Sequence, residues 1–446
     1  MIPRMRQVLV VSPNFPPNDA VDMHRIRMTV GHFKACGWRP VVLRVAPGDT
    51  GRSLEPDLLR TLPEDLEVVE VAAPQGRLAA AIGLNAAGLR AWSALNRAGK
   101  ALLASRPFDL VFITTTAFPV MALGRVWKQR FGVPFVLDFQ DPWATFPASA
   151  SPFMRPGLKH RLMRFIHARL EAWTLPSTDG LMAVSERYID LLRGAYPALL
   201  ERPAVVSPFP YSLADFAAAA RYGRAIEGLA PSDNGISCLY AGRIAPAMES
   251  SLSACFALVA AGRRRRPALF DRLRFVFVGT GYGASGNPSV AGRLAAETGM
   301  SDQVLEYPDR ISFLDAQKSM LDAGMLLVLG SDDDAYTPSK LNQSLSLPKP
   351  ILCAAPATSR AAEAVRGLST VLSINSRAAP TDAEIDRLGD QLEDLLRAGA
   401  SGVYSERDGR TRPFEAAAAA ARDCDLFDRV LDASRVPEKG PGQYGE

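Results

Sequence analysis

The chain has 446 residues, of which 48% are apolar and 22% charged, and 51 basic against 47 acidic side chains leave a net charge of +4. That length predicts two or three domains with sizeable cores. So mild a charge, with no concentrated patch, gives no reason to expect a nucleic-acid partner.

Five cysteines (Cys36, Cys238, Cys255, Cys353, Cys424) have no CxxC spacing, and the four histidines form no HExxH. Free buried thiols are expected, and no protein-held metal. The opening MIPRMRQVLVVSP reads as a first strand and not as a signal peptide. No window offers 18 apolar residues, so no membrane-spanning helix is expected. A cytoplasmic location follows as the expectation, with the inner face of the plasma membrane as its variant.

Strand-like and helix-like segments alternate along the chain, which predicts an α/β fold with parallel sheets. In the first half, strands are expected at Gln7–Val11, Pro40–Val45, Leu66–Val71, Leu110–Thr114, Phe135–Asp138, Leu181–Val184 and Ala204–Ser207. Helices are expected at Asp22–Cys36, over much of Arg77–Ser105, and at Val120–Phe131 and Arg155–Trp173. Residues 1–210 read as one domain and 211–233, with turn residues and an Ala-rich patch, as a linker. The pattern restarts over 234–430, with strands at Ile236–Ala241, Arg274–Val278, Gln303–Tyr307, Met325–Leu329, Pro350–Cys353 and Thr370–Ile374. The last helix, 414–431, is one that can return to the first domain, and 435–446 reads as a loose tail. Two similar halves and one linker suggest two Rossmann-like domains facing across a cleft.

Five stretches carry candidate chemistry. The loop after the first strand, SPNFPPNDAVDMHR, leads into a helix bearing His24, Arg25 and Arg27. Such strand-to-helix loops are where doubly wound folds bind ligands. DFQDPW places Asp138 at a strand end, where its carboxylate is expected to emerge at the ligand edge as a general base or a sugar-hydroxyl contact. Asp141 shares that expectation, and turn capping is the alternative for both.

YAGRI ends a strand on Gly242 and Arg243, whose guanidinium suits a diphosphate. In MLLVLGSDDDAYTPSKLNQSLSLPKPIL a helix is expected to start at Thr337-Pro338-Ser339, with Lys340 and Gln343 on its first turns. Its N-terminus would favour an anion. GYGASG at Gly281–Gly286, with Glu306 some way on, fits the dinucleotide fingerprint but stands on the second strand of its half and precedes Pro288. A turn whose backbone amides approach a nucleotide is the preferred reading.

Two further stretches have bland alternatives. Asp332–Asp334 fits a metal-holding DxD, yet three acids in a loop are usually solvated. Arg155–Trp173 is a basic amphipathic helix that either contacts an anionic bilayer or packs its stripe of Leu158, Leu162, Phe165, Ile166 and Trp173 on its own sheet.

Taken in order, VLVVSPNFPPN…HRIRMTVGHFKACGWRPVVL, DFQDPW, AVSERY, AGRI and TPSKLNQSLSLPKPIL resemble GT-B glycosyltransferases over about residues 7–430. The closest likeness is to family 4 and related enzymes of bacterial surface polysaccharides. The resemblance implies a metal-independent enzyme, with no cofactor, that moves a sugar from a nucleoside diphosphate sugar to a glycan or lipid-linked hydroxyl. It implies donor contacts from Gly242, Arg243, Gly279, Gly281, Tyr336, Ser339, Lys340 and Gln343 in the second half. It implies acceptor contacts from Asn14, Asn18, Arg25 and Thr115 in the first. Asp138, Asp141 and His24 remain open as the catalytic group.

The chain also departs from the family pattern. Gln343 stands where a ribose-binding glutamate is usual, Asn18-Asp19-Ala20 replaces a glycine pair, and Ala245–Ser253 holds no lysine. An inactive nucleotide- or glycan-binding partner subunit is therefore the alternative, and a dinucleotide oxidoreductase a third.

Overall fold

The computed structural model describes residues 4–73, 87–141, 143–145, 158–229, 235–281, 289–332, 338, 340–398 and 409–435. The chain divides into two compact units, Met1–Pro210 with Ala416–Glu446, and Tyr211–Glu415.

The first unit is built on seven parallel strands: β1 (Arg6–Val11), β2 (Trp38–Val45), β3 (Glu67–Val71), β4 (Leu110–Thr114), β5 (Phe135–Phe139), β6 (Gly180–Ala183) and β7 (Ala204–Val206). They lie in the order β3-β2-β1-β4-β5-β6-β7. Between them run α1 (His24–Thr29), α2 (Ala87–Ser105), α3 (Ala122–Phe131), α4 (Leu158–Thr174) and α5 (Glu186–Ala195).

The second unit holds α6 (Leu213–Tyr222), β8 (Ile236–Ala241), α7 (Glu249–Arg265), α8 (Pro267–Phe270), β9 (Leu273–Val278), α9 (Val290–Thr298), β10 (Val304–Tyr307), α10 (Phe313–Asp322), β11 (Met325–Leu329), α11 (Leu341–Ser346), β12 (Ile351–Ala355), α12 (Arg360–Val365), β13 (Val371–Asn375) and α13 (Asp382–Ala398). Its six parallel strands run β10-β9-β8-β11-β12-β13. Relabelled from its own first strand this is 3-2-1-4-5-6, the winding of the first unit without the last strand. The chain has used one doubly wound topology twice.

Strand periodicity explains why both faces of each sheet are apolar. Val8 and Val10 of β1 join one core and Leu9 and Val11 the other, because successive side chains point to opposite faces. A parallel sheet covered on both sides needs such unbroken apolar runs. Every expected strand is present, with ends shifted by at most two residues.

Three expectations about helices and boundaries need correction. Asp22–Cys36 is not one helix, since only His24–Thr29 is α-helical and 3₁₀ turns cover Val21–Met23 and Val30–Cys36. The segment expected as a linker contains α6, which starts with Ser212 capping the Asp215 amide and packs on α10 of the second unit. Finally, α11 spans only Leu341–Ser346, because Leu347 is already extended ahead of Pro348. Residues 77–86, 155–157, 230–234 and 436–446 lie outside the described residues.

The last helix, α14 (Ala416–Arg435), belongs to the first unit. Ala420, Cys424, Phe427 and Val430 complete the core on one face of its sheet. Phe427 meets the rings of Phe33, Trp38 and Phe112 at 5.7, 5.4 and 5.1 Å. The helix comes so close to β6 that a Cβ on Gly180 would stand 2.6 Å from Val430 Cγ2, so only glycine fits there.

Candidate active site

In each sheet the strand order reverses beside the first strand, between β1 and β4 in one unit and between β8 and β11 in the other. Ligands of open α/β sheets bind at the carboxyl ends of strands at such points.

In the second unit Gly242 follows β8 with φ +147°, a conformation open to glycine. A Cβ there would stand 3.9 Å from both Lys340 Nζ and the Tyr240 hydroxyl. Thus Lys340, beyond β11, extends its ammonium to the end of β8. The Tyr240 hydroxyl donates to the Arg243 carbonyl at 2.8 Å and fixes the turn, while the Arg243 side chain is exposed. Lys340 is half-buried, and desolvation, aided by the charge of Arg310, lowers its pKa to about 8. Arg310 follows β10 and is a cation that sequence reasoning missed. A local dipeptide, Asp309-Arg310, gave no signal for it.

Lys340 sits at the N-cap of a six-residue helix, so the anion-favouring helix end expected at Thr337 is not what the site relies on. Gln343 lies within this helix and is buried. Tyr336, Thr337 and Ser339 are outside the described residues.

The glycine turn after β9 differs from its expected form. Gly279 has φ +68°, and its amide donates to Tyr307 O at 2.8 Å. The Gly281 amide donates to Pro308 O at 3.0 Å. Both amides are engaged by carbonyls at the end of β10, which ties the turn to the neighbouring strand. Glu306, the acid of the dinucleotide fingerprint, accepts from the hydroxyls of Thr280 and Ser289 with its two oxygens. The oxidoreductase reading thereby loses its ribose ligand. Residues 282–288 lie outside the described residues.

Of the DxD stretch, Asp332 accepts from Ser250 Oγ at 2.6 Å, and Asp333 and Asp334 lie outside the described residues. Among the described residues no group of three or more His, Cys, Asp or Glu could hold a metal.

In the first unit Asp22 gathers the ligand edge. Its carboxylate accepts from Asn14 Nδ2 at 3.2 Å, Thr115 Oγ1 at 3.0 Å and the Thr116 amide at 2.9 Å. Two expected acceptor contacts, Asn14 after β1 and Thr115 after β4, therefore meet at the switch point through a residue that sequence reasoning passed over. Its one signal was an acid at the start of a helix.

Asn18 does not join them. It is fully buried, donates to Phe15 O at 3.0 Å and accepts from Thr50 Oγ1 at 2.7 Å, so it staples its loop.

Asp138 corrects a second expectation. Its carboxylate does not emerge at the edge but is 0% exposed and lies 2.9 Å from Arg25 Nη1. Thr114 Oγ1 and Gln140 Nε2 donate to Oδ2 at 2.8 and 3.1 Å. Burial raises its pKa, and Arg25 and these donors oppose the rise. A carboxylate so enclosed meets no substrate hydroxyl, and Arg25, 2% exposed, meets no acceptor.

Asp423 of α14 joins the same cluster. It accepts from Ser207 Oγ at 3.0 Å, and burial, partly offset by Arg25, raises its pKa to about 6. No local pattern could reveal it, because it arrives from the far end of the chain.

Asp141, two residues beyond β5, is exposed. Loss of solvation and, second, the charge of Asp22 raise its pKa. Half-exposed His24 accepts from Arg27 Nε at 3.3 Å. Asp141 is thus the open carboxylate of the edge, and a raised pKa suits proton transfer.

Residues 24–208 match the model of the glycosyl transferase 4-like domain. No curated protein matches the chain in sequence. Solved structures match nearly its whole length. Sucrose-phosphate synthase from Thermosynechococcus elongatus is 14% identical, with 96% of this chain and 100% of that one covered and a TM-score of 0.58. An alpha,alpha-trehalose-phosphate synthase (UDP-forming) from Burkholderia vietnamiensis is 14% identical, with 96% and 99% covered and a TM-score of 0.57. An E. coli structure described as trehalose-6-phosphate bound with UDP-2-fluoro glucose is 12% identical, with 96% and 99% covered and a TM-score of 0.53. The fold these structures share with the chain is GT-B.

Proposed function

We propose that this chain transfers a sugar from a nucleoside diphosphate sugar to a hydroxyl of a glycan or glycolipid, without a metal, in the synthesis of bacterial surface polysaccharide. The observation that carries the reading is the Lys340 ammonium beside Gly242 at the switch point of the second unit. An ammonium and the neighbouring Arg243 guanidinium there suit a diphosphate. The E. coli structure bound with UDP-2-fluoro glucose, similar in fold, supports the same class of donor.

In the reaction the bond from the anomeric carbon to the diphosphate oxygen breaks, and a bond from that carbon to the acceptor oxygen forms. Negative charge grows on the departing diphosphate, where Lys340 and Arg243 would stabilise it. The acceptor hydroxyl gives up its proton, and Asp141, an exposed carboxylate at the ligand edge of the first unit, is the group we assign to take it. Asn14, Thr115 and Asp22, buried and bonded to one another, would brace the acceptor edge without touching the acceptor. Asp138 and Arg25 would hold the edge from beneath.

A second reading rests on Gln343, an amide at the position where the resemblance expects a ribose-binding glutamate. It makes the chain a nucleotide- or glycan-binding partner without turnover. Incubation with a panel of nucleoside diphosphate sugars separates the two. Release of nucleoside diphosphate, by transfer or slow hydrolysis, supports the enzyme. Binding with no release supports the partner subunit, and no binding contradicts both.

A further inference from the structure

Helix α4 has two faces of opposite character. Its inner face is buried and grips the loop that follows Asp141. Trp143 Nε1 donates to His167 Nδ1 at 2.9 Å. The Ala144 and Thr145 amides donate to Glu171 Oε2 at 2.5 and 3.2 Å, and the Tyr196 hydroxyl donates to Oε1 at 2.9 Å. These contacts tie that face to the loop after Asp141 and to Tyr196.

The outer face is of another kind. Leu162 is 58% exposed, Phe165 57% and Trp173 39%. Arg161, Arg164 and Arg169 are exposed beside them, and the remaining exposed positions from 161 to 173 are alanines, with no acid among them. Residues 162, 165, 169 and 173 follow the helical repeat and form one stripe. The Arg169 guanidinium lies 5.0 Å from the Phe165 ring, and that of Arg125, from α3, 4.6 Å from the Trp173 ring. The expected alternative, in which the whole apolar stripe packs on its own sheet, does not hold for these three residues.

Leucine, phenylalanine and tryptophan alternating with arginine, on a helix already anchored by its other face, is the pattern of an interfacial helix. Tryptophan settles at the headgroup level, and arginines there gain from anionic lipid. A nucleic acid would offer no partner to Leu162. We infer that the outer face of α4 seats the first unit on an anionic lipid bilayer, with Leu162, Phe165 and Trp173 at the headgroup–acyl boundary and the arginines at lipid phosphates. The inference rests on the proposed function only for its purpose, a lipid-linked acceptor. Because α4 also holds the loop after Asp141, the seated surface and the acceptor edge move as one body.

Cosedimentation of the full chain with vesicles tests this without reading turnover. One vesicle set mixes phosphatidylcholine with phosphatidylglycerol, and the other is phosphatidylcholine alone. The expected result is binding to the anionic set that weakens with salt. Phe165→Ser with Leu162→Ser should lower partitioning about tenfold or more, and Arg161→Glu with Arg164→Glu should do the same. All four side chains are exposed, and thermal melting of each variant checks that the fold is kept. If one pair nevertheless fails to fold, the other decides.

Equal binding to both vesicle sets overturns the inference, as does no binding to either. A dimer lost in the Phe165→Ser, Leu162→Ser variant, with no vesicle binding, would assign the face to a second copy instead. Vesicle binding without any sugar-nucleotide turnover would sink the proposed function and leave this inference standing.

Discussion

Lys340 Nζ stands 3.9 Å from the place a side chain would occupy on Gly242. Lys340 lies beyond β11 and Gly242 beyond β8, and these are the neighbouring strands from which the second sheet winds in opposite directions. A bare glycine and an ammonium at that point leave room for a ligand backbone and a charge to meet it. This is the geometric core of the proposed donor site.

The ammonium should make stability depend on pH. Its pKa is lowered to about 8, while the unfolded chain keeps a lysine's ordinary value near 10.4. Between those values the unfolded chain holds the proton and the folded one has released it, so stability of the second unit rises with pH there. Lys349, also lowered by burial, contributes in the same direction. Urea melts from pH 7.5 to 10 should therefore show a steeper rise for the native chain than for Lys340→Met.

Arg243 is exposed, and its carbonyl accepts from the Tyr240 hydroxyl. Arg243→Ala should leave the melting temperature within about 1 °C and weaken nucleoside diphosphate binding by about 10- to 100-fold, the worth of one charge-assisted contact of about 1.5–3 kcal/mol. Arg243→Lys should recover only part of this, because an ammonium lacks the forked donor pair. Calorimetric titration of both variants checks it.

An aspartate at the end of β5 and one in the loop after it should behave oppositely. Asp138→Asn leaves the Arg25 charge buried beside a neutral group, at a cost of about 3–5 kcal/mol. Asp423, near Arg25, sets the loss toward the lower end. Asp141→Asn, at an exposed position, should change stability by less than about 0.5 kcal/mol and lower turnover by about 10²- to 10⁴-fold if Asp141 takes the acceptor proton. Denaturant melts and initial rates on the two variants separate structure from chemistry.

The returning helix should be held largely by one ring. Phe427 is 0% exposed and packs against three aromatic side chains. Phe427→Ala should cost the first unit about 3–5 kcal/mol. Limited proteolysis should then cut within or just before α14, which the native chain resists.

The strands were legible because parallel strands buried on both faces are unbroken apolar runs, as in Leu110–Thr114 and Met325–Leu329. Lys340 was legible because it follows such a run by a short loop. Asp138 was misread for a reason of the same kind. A strand end fixes where a carboxylate begins but not whether Arg25, from α1, and Asp423, from the last helix, close over it. The start of α11 was misread because Thr337-Pro338 has the residue types of a helix start, whereas the helix is capped at Lys340; its stop ahead of Pro348 was legible. Asp22 and Arg310 act through partners distant in sequence, and no local spacing marks them.

The most direct test is calorimetric titration of a set of nucleoside diphosphates into the native chain and into Lys340→Met, at pH 7 and pH 9. The account predicts that at least one binds the native chain, that its affinity falls between the two pH values as the ammonium loses its proton, and that Lys340→Met binds at least about tenfold more weakly with no such fall. Equal affinity of the two proteins, or a native affinity indifferent to pH across this range, would contradict it.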